Sequence, residues 1–217
     1  MAVGVWVTMW MFLVPTFAAE VGPQQPVYDA VVASIEARRR GLDDVAGARR
    51  ALWDAIVDDL VPRWTGTPWS FYGNAEAPGV EPVACGYYVS AILRDAGLRV
   101  ERVRLAQQAS EHIIQTLVPE ARIRRFRDRP AGEVVAHVAR RDGVWIVGLD
   151  FHVGFLIAEG GQVQFCHSTF LDEAGAICED PSRSDAFVSR YRVVGELLGD
   201  DVVRGWLDGK QWPTVTK

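Results

Sequence analysis

The sequence predicts an α+β fold, with helices first and an antiparallel sheet after them. Three observations carry the prediction. From about residue 27 to 60 apolar side chains recur three and four positions apart with charges between them, the spacing of amphipathic helices. The stretch that begins at Cys85 repeats that period. Beyond residue 143 the texture changes to GVWIVGLD, HVGFLIAE, QVQFCHSTF and AFVSRYRVVGEL, runs separated by Gly, Asp and Pro signals that read as strands of a meander.

With 217 residues, 49% of them hydrophobic and 24% charged, the chain suits a single domain with a real core, taken here as residues 20–217. A formal charge of -5 points neither to disorder nor to bulk nucleic-acid binding, and no internal repeat is visible. Residues 1–19 carry no charged side chain and end in Ala18 and Ala19, which reads as a signal peptide or, if uncleaved, a membrane anchor. Either way the rest is expected to be periplasmic or secreted, with membrane association only through an uncleaved N-terminus. Of three cysteines, Cys166 and Cys178 are near enough in sequence to close a short loop, which would leave Cys85 free.

In the helical region about 27–60, Gly41 followed by Leu42, Asp43 and Asp44 divides two helices, with an aspartate capping the second. The loop VPRWTGTPWSFYGNAEAPGVEPVA is too long and too aromatic for a plain connector; Trp64, Trp69, Phe71 and Tyr72 either line a cleft or pack back on the core. In CGYYVSAILRDAG, Cys85, Val89, Ile92 and Ala96 share a helix face that Gly97 ends. LRVERVRL alternates like a strand, while AQQASEHIIQTLV and AGEVVAHVARR read as helices. ARIRRFRDRP reads as a solvated basic loop, and His112 and His137 as surface or half-buried side chains without partners at ligand spacing.

Cys85 is open to two readings, a small core residue or a nucleophile. At a helix start the dipole and the unpaired N–H groups favour a thiolate and can also hold an oxyanion, and Gly86 removes bulk where a substrate carbonyl would approach. A base is available from the strands. Alternation sets His152, Gly154, Leu156 and Ala158 on one face. A turn at Glu159-Gly160 sets His167 opposite His152, and one at Gly160-Gly161 sets it opposite Gly154, diagonal to His152; both put the histidines on one face. His152 would then be the base and His167 the group that orients it, with Asp150 as a rival orienting group. The bland reading of such a pair is hydrogen-bonded packing, and no HExxH or CxxC spacing supports zinc.

GTPWSFYGNAEAPGVEPVACGYYVSAILRDAGL resembles the part of NlpC-type, papain-like cysteine peptidases in which a G-x-P-Y-x-x-G-G-like loop leads to D-C-S-G at a helix start. DFHVGFLIAEGGQVQFCHS resembles their H-V-G-[IV]-Y strand and the polar residue on the next strand. The resemblance covers about half the chain and implies Cys85 as nucleophile, His152 as base and His167 as third residue, on a papain-like core whose cysteine helix packs against an antiparallel sheet. Ala84 and Gly86 replace the family's Asp and Ser, Trp69 stands in place of its tyrosine, and Tyr72 occupies a usual glycine position. The expected function is exported thiol amidohydrolysis of a peptidoglycan stem peptide or another amide, without metal or organic cofactor. The alternatives are acyl transfer to an amine, or a non-catalytic module that binds wall fragments or a partner protein.

Overall fold

The computed structural model describes residues 24–216; the expected signal peptide or anchor at residues 1–19 lies outside them. Helices α1 (Gln24–Arg40) and α2 (Val45–Trp53) are divided at Gly41 as expected, and Asp44 caps α2 by accepting a 2.8 Å bond from the Gly47 N–H. The chain continues through a π-helical stretch, Asp54–Leu60, into the short α3 (Val61–Trp64). Helix α4 (Cys85–Asp95) follows the long loop, then β1 (Arg99–Val100), α5 (Arg102–Ala106), α6 (Ser110–Leu117), β2 (Ile123–Arg127) and α7 (Ala131–Val138). The remainder is β3 (Gly143–Leu149), β4 (Val153–Glu159), β5 (Gln162–Thr169), β6 (Gly175–Glu179), β7 (Tyr191–Glu196), α8 (Asp200–Leu207) and β8 (Gln211–Trp212). Among the described residues no helix is long and apolar enough to cross a membrane.

Six strands form one antiparallel sheet in the order β2-β7-β3-β4-β5-β6. The chain is thus α+β, with β3, β4 and β5 as an antiparallel meander as expected; β6, which the sequence reading did not include, extends it, and the fourth expected strand, β7, pairs with β3 on its other side instead of following β5. Three further elements differ from their sequence reading. LRVERVRL is a strand only at Arg99–Val100, which pairs parallel with β8, and then turns helical. The basic stretch is not a loop, since Ile123–Arg127 forms the edge strand β2, where Arg125 ion-pairs with Glu111 and Glu120. Charged side chains suit an edge strand, which has one unpaired row of backbone groups to protect. The strand read from AFVSRYRVVGEL begins only at Tyr191; Asp185–Phe187 is a 3-10 turn.

Helix α4 forms because its apolar residues recur at helical spacing; Val89, Ile92, Leu93 and Ala96 are fully buried against the sheet. Burial of each of the larger three contributes about 1.5–3 kcal/mol. The Tyr88 ring meets Phe155 of β4 edge-on at 6.2 Å. On the opposite sheet face α7 packs Val134 and Val138 over Trp145, Leu156 and Phe165. Trp64 is wholly buried, its Nε1 donating 3.0 Å to Tyr28 Oη, so it belongs to the core and not to a cleft.

The loop that leads into α4 is ordered by its backbone. Gly66 N–H donates to Ala176 O (2.8 Å), Val83 N–H to Pro68 O (2.8 Å) and Ala84 N–H to Gly73 O (2.9 Å). The buried Arg102 guanidinium reaches from α5 to the carbonyls of Asn74 and Ala75 at 2.7 and 2.5 Å. These bonds fix where Cys85 starts its helix.

Cys166 and Cys178 face each other across β5 and β6 and are joined by a disulfide; Cys85 is free. The bond closes a loop of 12 residues' separation between the strands. Loops of this size restrict the unfolded chain by about 3 kcal/mol. The Cys166→Ala, Cys178→Ala double variant is expected to lose about that much stability in urea titration.

Candidate active site

The hairpin turn between β4 and β5 settles the histidine geometry. Glu159 pairs with Gln162, so the turn is Gly160-Gly161, and both glycines have positive φ (56° and 81°), as a type I′ turn needs. This is the second of the two expected registers, with His167 beside Gly154. Gly154 leaves the room: a Cβ there would lie 2.9 Å from His167 Cβ. His152 sits just before β4, and its Nε2 lies 2.8 Å from His167 Nδ1. Phe165 stacks flat on the His167 ring at 4.0 Å and meets the His152 ring edge-on at 6.0 Å. Cys166 points to the other face, as alternation requires.

A residue that the sequence reading missed completes the chain. His167 Nε2 lies 2.9 Å from Glu179 Oε1, on β6. A carboxylate only accepts, so His167 carries its proton on Nε2 and presents a lone pair on Nδ1. His152 must then donate from Nε2, which leaves its own lone pair on Nδ1. One carboxylate therefore sets the tautomers of two rings in series. The free lone pair falls on the ring atom of His152 that the chain does not use.

Asp150, the rival orienting group, is engaged elsewhere. Its Oδ2 accepts from Ser189 Oγ (2.8 Å) and from the N–H groups of Arg190 (2.7 Å) and Tyr191 (3.3 Å), which ties the end of β3 to the start of β7. These donors hold its carboxyl below the usual range. It lines the site without touching His152 Nε2, which His167 occupies.

Cys85 is half-buried at the first position of α4, with Ala84 as N-cap. The N–H groups of Val153, Gly86 and Cys85 itself point toward Sγ and favour its thiolate, but burial outweighs them and raises the thiol above its ordinary value. The thiol and the His152 ring share no hydrogen bond at rest; Sγ faces the residue next to His152. Bonds between reacting groups are often long before a substrate binds. Gly86 has a different job from the one expected. A Cβ there would come 2.3 Å from Ala106 O, so glycine is required by the close approach of α5 and not by an arriving carbonyl.

Cys85, Gly86, His152, Trp69, Tyr72 and Asp150 all line one open cavity of about 950 Å³. Trp69 is tilted against Phe170 at 5.2 Å, and Tyr72 is 87% exposed at the mouth, edge-on to Phe71 at 5.1 Å. Comparison with known proteins finds no family model, curated protein or solved structure that matches this chain. The geometry therefore carries the functional reading. Among the described residues no group of three or more His, Cys, Asp and Glu side chains is arranged to hold a metal ion.

Burial lowers His152 from 6.5 to about 3, with the neighbouring His167 adding to the shift, and lowers His167 to about 4. Both rings are neutral at rest, beside a protonated thiol. A base that works as the neutral ring keeps its lone pair as pH falls through 6.5 and loses it only near 3. Stability runs the other way. The unfolded chain takes up these protons near 6.5 while the native state does not, so native stability is fully present above that pH and falls below it. The slope is about 1.4 kcal/mol per histidine per pH unit until the folded values are reached. Thermal unfolding followed between neutral pH and pH 4.5 should show this decline, and a His167→Gln variant should show a shallower one.

Proposed function

We propose that the protein is a thiol amidohydrolase with a papain-like arrangement of NlpC type, acting through an acyl-enzyme on Cys85. The observation that carries the reading is the hydrogen-bonded series His152, His167, Glu179, which leaves a lone pair on His152 in the cavity that Cys85 lines. In this reading His152 Nδ1 takes the thiol proton as Sγ attacks a carbonyl carbon, so the nucleophile forms at the moment of attack. The Cys85 and Gly86 N–H groups, which have no backbone acceptor in the first turn of α4, hold the oxyanion. His152 then protonates the departing amine, and water, deprotonated by the same ring, releases the acid. His167 and Glu179 are positioning residues that hold the ring and share the charge it gains.

The Cys166–Cys178 disulfide favours an oxidising, exported location. The resemblance to NlpC-type peptidases suggests an amide acyl donor, with γ-glutamyl amides of peptidoglycan stem peptides as the family's usual case. The test is to incubate the protein with amide donors, quench in acid and look by mass spectrometry for a thioester on the peptide that contains Cys85. Added amine separates the alternatives, since a transferase makes the new amide and a hydrolase the free acid. Absence of both acylated Cys85 and cleaved amide across donors would leave only a binding module.

A further inference from the structure

We infer that the acyl group this site accepts is an unbranched apolar chain, so that the substrate is a fatty acyl amide. The inference rests on the reading of Cys85 as nucleophile and concerns what the cavity around it holds. Phe71, Tyr72, Phe151, Phe170 and Val188 are exposed by 63% or more, and all five line this one cavity. Phe151, next to His152, is 100% exposed. Single exposed apolar side chains are ordinary; five gathered at one opening mark a surface kept for an apolar ligand.

Charge points the same way. Among the described residues the lining contains two charged side chains, Asp150 and Arg190; Cys85 and His152 are neutral at rest. Asp150 Oδ2 accepts from Ser189 and two backbone N–H groups, and Arg190 Nε donates to Asp128 Oδ1 at 3.0 Å, which leaves one carboxylate oxygen and part of one guanidinium open to a ligand. A wall stem peptide carries carboxylates and amines along its length, and this lining meets them with one guanidinium and one carboxylate among mostly apolar side chains. An alkyl chain needs only apolar walls and room, and about 950 Å³ is ample at the upper end of ligand cavities.

In the reaction Sγ attacks the acyl carbonyl carbon, a C–S bond forms and the C–N bond breaks. The nitrogen leaves as the amine with the proton that His152 took from the thiol. Water then adds to the thioester, giving one proton to His152, which returns it to the Cys85 thiolate as the fatty acid departs. Atoms balance with water as the sole co-reactant.

The test is a series of acyl p-nitroanilides from acetyl to dodecanoyl, kept below their micellar concentrations, beside a γ-glutamyl muropeptide. A buried methylene is worth about fourfold in affinity, so kcat/KM is expected to rise about fourfold per methylene until the chain fills the cavity. In the Phe151→Ser, Phe170→Ser double variant the rise should flatten, the longest donors losing most. Rates independent of chain length, or preference for the muropeptide, with Cys85 still acylated, would overturn this inference and leave the proposed function standing. A length dependence that the double variant does not change would overturn the assignment of the chain to this cavity. No acylation of Cys85 by any donor overturns both.

Discussion

Cys85→Ala is expected to lower amide turnover by at least about 10⁴-fold while the urea midpoint moves only modestly. The asymmetry follows from where the side chain sits. Sγ is half-buried at the first position of α4, and the only groups directed at it are the backbone N–H groups of Val153, Gly86 and Cys85 itself. The anchoring bonds of the site entrance, such as Ser168 Oγ to Val83 O at 2.7 Å, do not involve it. Removing one sulfur therefore costs the transfer energy of a small group and the weak N–H contacts to sulfur, about 1–2 kcal/mol together. Chemistry through an acyl-enzyme has no substitute for it. Steady-state rates on any accepted amide, with urea unfolding alongside, check both halves.

His152→Ala is expected to be nearly as severe, a loss of about 10³-fold in kcat, within the range a positioned acid–base group supplies. Since the Cys85 thiol is raised by burial and both rings are neutral, no ready-made thiolate remains to carry the reaction when the ring is gone. The remaining rate should climb with pH as the thiol ionises unaided. A wild-type reaction should instead show a normal solvent deuterium isotope effect, because the proton moves as the carbon–sulfur bond forms. Attack by the thiolate of a resting ion pair would show no such isotope effect, because its proton has already moved.

What was legible in the sequence was local. Alternation with a Gly-Gly turn placed both histidines on one face, and helical spacing placed Cys85 at a helix start, because period and turn chemistry need only neighbours in the chain. Glu179 was missed because GAICE is short and follows a 3-10 turn, without a clear alternation of its own. A signal for it existed nonetheless. If Cys166 and Cys178 bond across adjacent antiparallel strands, Glu179 falls opposite Phe165 and so on the His167 face. The true roles of Gly86 and Asp150 depend on Ala106 and on Ser189 to Tyr191, contacts that arise only when distant segments return to the site. The same is true of LRVERVRL, whose pattern suits a strand but whose partner β8 is two residues long.

The most direct measurement is the rate at which iodoacetamide alkylates Cys85 at neutral pH in the wild type and in His152→Ala. Cys85 is the free thiol and the other two cysteines are bonded to each other, so one label reports one site. If His152 takes the thiol proton, the wild type reacts about 10²-fold or more faster than the variant. Equal rates in the two proteins would contradict the account.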